Sequence, residues 1–350
     1  MDISKVTSVR KDCLEILEDH HEELSPLKGK TLVITGGTGF LGTWISEVIA
    51  TLNDEYSYGT QLTLIARGTD HFKNAKKHLA ERKDVHLIKS DVRNLTELPK
   101  ETDWLVHAAS NPDNRFHATN PIETMSAIAD GTSAVLRAAD RCENIKMFLN
   151  VSSGLIYGSL PLEVKAVAET YNGAPVSGST ASAYAAAKRY AETFVAAART
   201  QAQIPCMSVR PFAFLGPYQS LETPWALNNF LHDALAGNPV RVFGDGQSVR
   251  SYLYGSDAAF WILKILTHGQ SGDCYNVGSA EGVSLEQLAR KIASCFDPAP
   301  EIRLKTSNTV QQVSSFVPDL SLAIKKHALE VKVSLDSALK KTIQWHQNKN

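Results

Sequence analysis

Between Lys30 and Pro211, short apolar runs alternate with longer stretches in which apolar and polar residues are mixed. TLVIT (31–35), QLTLIAR (61–67), VHLIKSD (85–91), DWLVHAA (103–109), KMFLNVS (146–152) and CMSVRPF (206–212) each read as a strand. The near-continuous apolar character of most of them is that of strands covered on both faces. TWISEVIATL (43–52), residues 122–141 and residues 181–200 carry helical spacing. Strands alternating with helices predict an α/β fold: a doubly wound parallel sheet of Rossmann type. Residues 3–24 read as a charged, weakly amphipathic helix ahead of the first strand, ending near Ser25-Pro26.

Past Pro211 the rhythm breaks. Loops around Gly216-Pro217, Gly237-Asn238-Pro239 and Gly244-Asp245-Gly246 interrupt shorter elements. We expect a smaller substrate-binding lobe there, built beyond the carboxyl ends of the strands, where ligands of open α/β sheets bind. The expected organisation is an N-terminal helical extension (1–29), a dinucleotide-binding domain (30–210) and a mainly substrate-binding lobe (211–350), with 248–270 returning to the Rossmann domain.

The formal net charge of −1 gives no electrostatic pull toward nucleic acid or an anionic membrane. The five cysteines, Cys13, Cys142, Cys206, Cys274 and Cys295, lack metal-ligand spacing. They suit reduced thiols, so neither a metal nor a disulfide frame is expected. The first residues lack an apolar signal core and no apolar run is long enough to span a bilayer, which together point to a cytoplasmic protein without a membrane partner.

Gly36-Gly37-Thr38-Gly39-Phe40-Leu41-Gly42 sets glycines at G-x-x-G-x-x-G between an expected strand and an expected helix. In that context the early glycines allow a tight turn and close approach to a pyrophosphate. Gly42 allows close helix–strand packing, and the helix N-terminus offers N–H groups to phosphate. Where an NAD site usually carries an acid for the ribose hydroxyls, the second strand ends in Ala66 and Arg67. A guanidinium there suits a 2′-phosphate and favours NADP. Asp70 keeps NAD possible. Asp91, closing the third strand, is a candidate partner of the adenine amino group.

NVSSGLIYG (150–158) follows the fifth strand with two hydroxyls and no neighbouring acid or base. Tyr184-Ala185-Ala186-Ala187-Lys188 is Y-x-x-x-K in a helical stretch, which puts phenol and ammonium on one face. A buried ammonium near a phenol favours the phenolate, so Lys188 is expected to lower the Tyr184 pKa and make it a general acid or base.

Together, TGGTGFLG, DWLVHAAS, NVSSGLIYG and YAAAK resemble the extended short-chain dehydrogenase/reductase family, in its nucleotide-sugar-modifying epimerase/dehydratase branch. RPFAFLGP, VFGDGQSVRSYLYGSDAA, YNVGSAEGVSLEQLA and TIQWHQ extend the resemblance from Lys30 to Trp345. It implies that Ser153 holds the reacting oxygen, Tyr184 passes the proton, and Lys188 tunes Tyr184 and holds the nicotinamide ribose. Ser152 is then a backbone-bonding neighbour. Gly36, Gly39, Phe40, Leu41, Gly42, Arg67, Asp91, Val92, Ala108 and Ala109 join Tyr184 and Lys188 in the cofactor site. Arg250 pairs with the diphosphate of a nucleotide-sugar, so the substrate site holds Ser153 and Arg250. Relatives of this kind commonly form a homodimer through the helices at 122–141 and 181–200.

Three departures from the family pattern matter. Gly154 and Leu155 replace the Asp-Glu pair with which some relatives expel water from C6, and the glutamate usual in decarboxylases is also missing. Ala213 replaces a loop asparagine, and Ser251 an aspartate. These absences favour hydride exchange over dehydration at C6 and place decarboxylation of a uronic acid sugar lower. The first reading is a 4-keto-sugar reductase using NADPH, and the alternative is a 4-epimerase with tightly held NAD. A non-sugar carbonyl reductase, and a cofactor-binding sensor or scaffold that has lost catalysis, complete the alternatives.

Overall fold

In the computed structural model, residues 3–305 and 314–348 are described. Seven strands form one parallel sheet: β1 (Thr31–Thr35), β2 (Gln61–Ala66), β3 (Val85–Lys89), β4 (Trp104–His107), β5 (Met147–Val151), β6 (Cys206–Pro211) and, much later in the chain, β11 (Cys274–Val277). Their order is β11-β6-β5-β4-β1-β2-β3, so the order reverses between β1 and β4. That reversal opens a crevice at the carboxyl ends of these two strands.

Side-chain alternation assigns each strand residue to one of two cores. Leu32, Ile34, Leu64, Val106 and Leu149 face one way, with Trp44, Ile45 and Val48 of α2 (Phe40–Tyr56). Val33, Ile65, Leu105 and Phe148 face the other, with Val135 of α6 (Pro121–Ala139) and Val195 of α7 (Ala183–Gln201). Burial on both faces is why these strands read as unbroken apolar runs. Helices α3 (Thr69–Ala75), α4 (Lys77–Ala80) and α5 (Asn114–Thr119) occupy the connections after β2 and β4.

The β11 strand is the element that the hydrophobic pattern leaves out. Cys274-Tyr275-Asn276-Val277 has too few residues to show a period, and its register against Ser208–Pro211 comes from tertiary pairing alone.

Past β6 the chain adds β7 (Ala213–Leu215), α8 (Ala226–Leu235), β8 (Val240–Phe243), β9 (Val249–Arg250) and β10 (Tyr252–Tyr254). Later come β12 (Val283–Ser284), α10 (Leu285–Ala293), β13 (Ile302–Lys305), β14 (Ser315–Phe316), α11 (Ser321–His327), which packs on β11, and α12 (Leu335–Gln347). β9 lies between β12 and β14, and β13 pairs with β8. Between these two groups, α9 (Gly255–His268) packs against α2.

The N-terminal segment differs from the single helix expected over 3–24. Helix α1 (Ile3–Leu17) stops short of that span, and a 3-10 turn runs from His21 to Leu27 through Pro26. The change of direction lets Leu24 and Leu27 reach zero exposure while Glu23 pairs with Lys264 of α9. α1 packs on α2 and α9. Its buried Asp12 accepts from the Tyr254 hydroxyl at 2.5 Å and from the Lys341 ammonium of α12.

Candidate active site

The two loops flanking the crevice touch. Gly36, at φ +71°, lies so close to the β4 loop that a Cβ there would stand 2.7 Å from the Ala108 carbonyl oxygen and the Ala109 Cα. Only glycine satisfies both the backbone angle and the approach. Gly42 is equally confined, since a Cβ would meet the Gly37 carbonyl oxygen at 2.3 Å. Helix α2 starts at Phe40 with Gly39 as N-cap and no side-chain cap. Its first-turn N–H groups are thus left for a ligand, and the helix dipole favours an anionic one. Phe40 stacks on Phe214 of β7 (centroids 6.3 Å apart), while Leu41 packs on the core. This cradle of glycine turn, uncapped helix and abutting β4 loop fits a dinucleotide pyrophosphate.

At the far end of β2 the charges are already organised. Asp91 accepts from the Arg93 backbone N–H at 3.0 Å and from its guanidinium at 2.7 and 3.0 Å. Arg93 in this way holds the Asp91 carboxyl down to about 2. Arg67 is exposed, with a guanidinium nitrogen 3.9 Å from Asp91. Asp70 is drawn to Lys89 at 2.5 Å. Val92 is buried, with its side chain against Gly131 of α6.

At the end of β5, Ser153, Tyr184 and Lys188 come together. Ser153 is 8 % exposed, and its hydroxyl accepts from the Leu155 N–H at 3.1 Å, capping the 3-10 turn Gly154–Tyr157. The same hydroxyl acts on the Tyr184 phenol, as does Ser110 from the β4 loop. Ser153 is therefore both a helix cap and a member of the cluster. The neighbouring Ser152 donates its backbone N–H to the Val209 carbonyl (2.8 Å), and its buried hydroxyl has no partner among the described residues.

Burial raises the Tyr184 pKa, and the Ser153 and Ser110 hydroxyls oppose it. This differs from the expectation that Lys188 lowers it. The Lys188 ammonium, 5.8 Å from the Tyr184 ring centroid, donates to the Val151 carbonyl at 2.7 Å instead. Lys188 is 4 % exposed, and burial brings it down to about 8 against the opposing charge of Glu192. Glu192 lies one further turn along α7 and pairs with Arg210 at 2.8 Å.

A Cβ on Gly154 would stand 3.0 Å from ring atoms of both Phe212 and Phe316. The position where some relatives place an acid is thus walled by aromatic carbon, and Leu155 beside it is exposed. Phe316 also lies 6.0 Å from the Arg250 guanidinium. Arg250 donates to the Val249 and Ser314 carbonyls and to the Ser314 hydroxyl. Among the described residues it has no carboxylate partner, and burial lowers its pKa. Ser251 is buried with an unpartnered hydroxyl.

Sequence reasoning missed Ser110, Arg93, His117 and Phe316. Ser110 ends the quoted DWLVHAAS, but nothing in that string says that it faces a tyrosine on another helix. His117 stacks on the Tyr184 ring from the short helix α5, in a stretch with no motif. Among the described residues no three His, Cys, Asp or Glu side chains gather as a metal cage. None of the described helices is long and apolar enough to cross a membrane.

The sheet order and the crevice define a Rossmann-type nucleotide-binding protein. Residues 32–278 match the NAD dependent epimerase/dehydratase family, and the chain belongs to it, within the extended short-chain dehydrogenases/reductases. UDP-glucuronic acid decarboxylase 1 of Arabidopsis thaliana is 27% identical over 322 residues, which is 91% of this chain and 70% of that protein. A trifunctional UDP-glucose 4,6-dehydratase/UDP-4-keto-6-deoxy-D-glucose 3,5-epimerase/UDP-4-keto-L-rhamnose-reductase of the same plant is 27% identical over 339 residues; they make up 91% of this chain and 47% of that longer protein. The fold matches UDP-N-acetylglucosamine 4-epimerase from Methanobrevibacter ruminantium at a TM-score of 0.78 and 21% identity, over 91% of this chain and 98% of that one. UDP-glucuronic acid 4-epimerase from Bacillus cereus, solved with UDP-glucuronic acid and NAD, matches at 0.75 and 21%, over 90% and 98%. The chain is an enzyme of the nucleotide-sugar-modifying epimerase/dehydratase class.

Proposed function

We propose that the protein transfers hydride at C4 of a nucleotide-sugar, as a 4-keto-sugar reductase that takes NADPH. One observation carries this reading: Ser153, Tyr184 and Lys188 converge at the end of β5 beside Gly154 and Leu155, which bring no second acid or base, and a Cβ on Gly154 would already press on the Phe212 and Phe316 rings. Decarboxylation and C6 dehydration need such a group. Reduction at C4 needs only a hydroxyl to hold the oxygen and a phenol to protonate it.

Bound NADPH supplies the hydride. Ser153 and Ser110 orient the carbonyl oxygen, Tyr184 gives it the proton, and Lys188 sits where it can hold the ribose. NADP is favoured because Ala66 brings no carboxylate to the strand end, Asp70 is engaged by Lys89, and Arg67 is exposed. Arg250 supports a diphosphate-bearing substrate, since it is a partly buried guanidinium facing no carboxylate among the described residues. A 4-epimerase holding NAD is the second reading. The same three side chains suffice for it, and fold neighbours solved with bound substrate include 4-epimerases.

Denaturing the purified protein and identifying the released nucleotide separates the two. Protein that releases none, or NADPH, and that consumes NADPH with a UDP- or dTDP-4-keto-6-deoxyglucose, supports the reductase. Stoichiometric NAD with interconversion of UDP-glucose and UDP-galactose overturns it.

Two further results are expected. Arg250→Ala raises the substrate KM by roughly 10- to 100-fold, the value of one to two charged hydrogen bonds, and leaves kcat within about threefold. An unchanged KM removes the diphosphate role. Turnover also falls on the alkaline side, around pH 8: the Lys188 ammonium is present below about 8 and lost above it. Lys188→Arg, which keeps its charge at all accessible pH, lowers kcat but flattens that limb. A limb that persists in Lys188→Arg belongs to another group.

A further inference from the structure

The segment after β4 reaches Tyr184 with two side chains, Ser110 and His117, and the proposed reaction uses only the first. Ser110 acts on the phenol oxygen. His117, on α5, lies parallel to the phenol ring: the centroids are 4.3 Å apart and the planes 13° from parallel. His117 is 9 % exposed, so this is an internal contact.

The imidazole is fixed from its far side. His117 Nε2 lies 2.7 Å from the Asn111 carbonyl, which can only accept, so Nε2 carries the proton. Asn111 is in turn held by its side chain, whose Oδ1 accepts from the Asp113 N–H at 2.9 Å. Asp113 caps α5 by accepting from the Arg115 N–H at 2.8 Å. The charged groups around the stack are Asp113, paired with Arg115, and Lys188 of α7. Burial and Lys188 lower the His117 pKa, while the Asn111 carbonyl and Asp113 raise it. The net effect is downward, which leaves a neutral ring at pH 7. Tyr184 packs besides against Ile128, Ala187 and Ala191. Two of these are alanines with little surface to hold a ring, so the imidazole is the flat partner that sets its plane.

We propose that His117 is a positioning residue for the proton donor: anchored by the Asn111 carbonyl, it holds the Tyr184 ring in the plane that keeps the phenol oxygen at Ser153 and Ser110, and it shields one ring face from water. The proposal rests on the reading of Tyr184 as proton donor. It adds a specific dependence, in that an aromatic face at position 117 shields the phenol, while the Nε2 proton serves to anchor that face and takes no part in proton transfer.

The test is the ultraviolet titration of the Tyr184 phenol in the full chain with NADP bound. The chain has ten tyrosines, so each spectrum is taken as the difference from the matching Tyr184→Phe protein. In His117→Ala, water reaches the exposed ring face, and the midpoint falls by about one pH unit toward the ordinary tyrosine value. His117→Phe restores the flat face and keeps the original midpoint. A role in folding alone would lower the thermal midpoint of both variants and leave the phenol titration in place. Should His117→Ala fail to fold, His117→Leu fills the space without a ring face and is read the same way. An unmoved midpoint in His117→Ala or His117→Leu overturns the positioning role and leaves the proposed reaction standing. Undiminished turnover by Tyr184→Phe overturns the donor reading and, with it, the role of His117 in positioning a donor.

Discussion

Tyr184→Phe will lose turnover by about 10³-fold while binding NAD(P) as the parent does. The substitution removes one oxygen. It leaves the ring, its stack on His117 and its packing on Ala187 and Ala191 in place. General acid–base catalysis by a positioned group contributes about 10²- to 10⁴-fold. The effect belongs near the upper part of that range because Gly154 and Leu155 carry no acid, the Ser153 and Ser110 hydroxyls are weaker acids than a phenol, and the Lys188 ammonium is turned to the Val151 carbonyl. Single-turnover hydride transfer with NADPH or NADH, read by nicotinamide absorbance, checks it. Full transfer by the variant would show that Tyr184 is not the donor.

The second large effect is expected far from any proton. Gly42→Ala will destabilise the protein by about 3 kcal/mol, the upper end of the usual overpacking cost. The added methyl would lie 2.3 Å from a backbone oxygen and 2.5 Å from the Gly37 Cα, and neither can rotate aside as a side chain can. Relief requires α2 to slide or the turn to open, and either moves the first-turn N–H groups off the phosphate position. Cofactor affinity therefore falls by at least about tenfold, alongside a lower urea midpoint. Normal cofactor binding in a destabilised variant would show that the turn serves packing alone. The same substitution at Gly59, where no atom lies within 4 Å of a Cβ, meets a positive φ but no clash, and leaves cofactor affinity unchanged.

The two cores were legible wherever burial imposes a pattern. β1 and its neighbours are covered on both faces, so their apolar runs announce them, and the glycine turn announces the crevice because close approach excludes any other residue. The Tyr184–Lys188 pair was legible because helix geometry fixes its spacing. The tuning between the two was not. It depends on where the Lys188 ammonium finds an acceptor, and that acceptor is a carbonyl on β5. His117 and Phe316 were invisible for a related reason. Each reaches the site from an element too short to show a period, the six-residue α5 or the two-residue β14, and the contact is set by tertiary packing. β11 escaped because its register is dictated by β6.

The ends of the chain carry a consequence for how the protein is made. Asp12 finds Lys341 across 329 residues and Tyr254 across 242. During synthesis, α1 waits with Cys13, Ile16 and Leu17 uncovered until α2 and α9 have been made, and Asp12 waits for α12 as well. Closing a loop of that length is slow, and the exposed apolar stripe is a site for self-association in the meantime. A nascent chain stalled before residue 341 therefore carries a docked Rossmann core with an incompletely paired first helix.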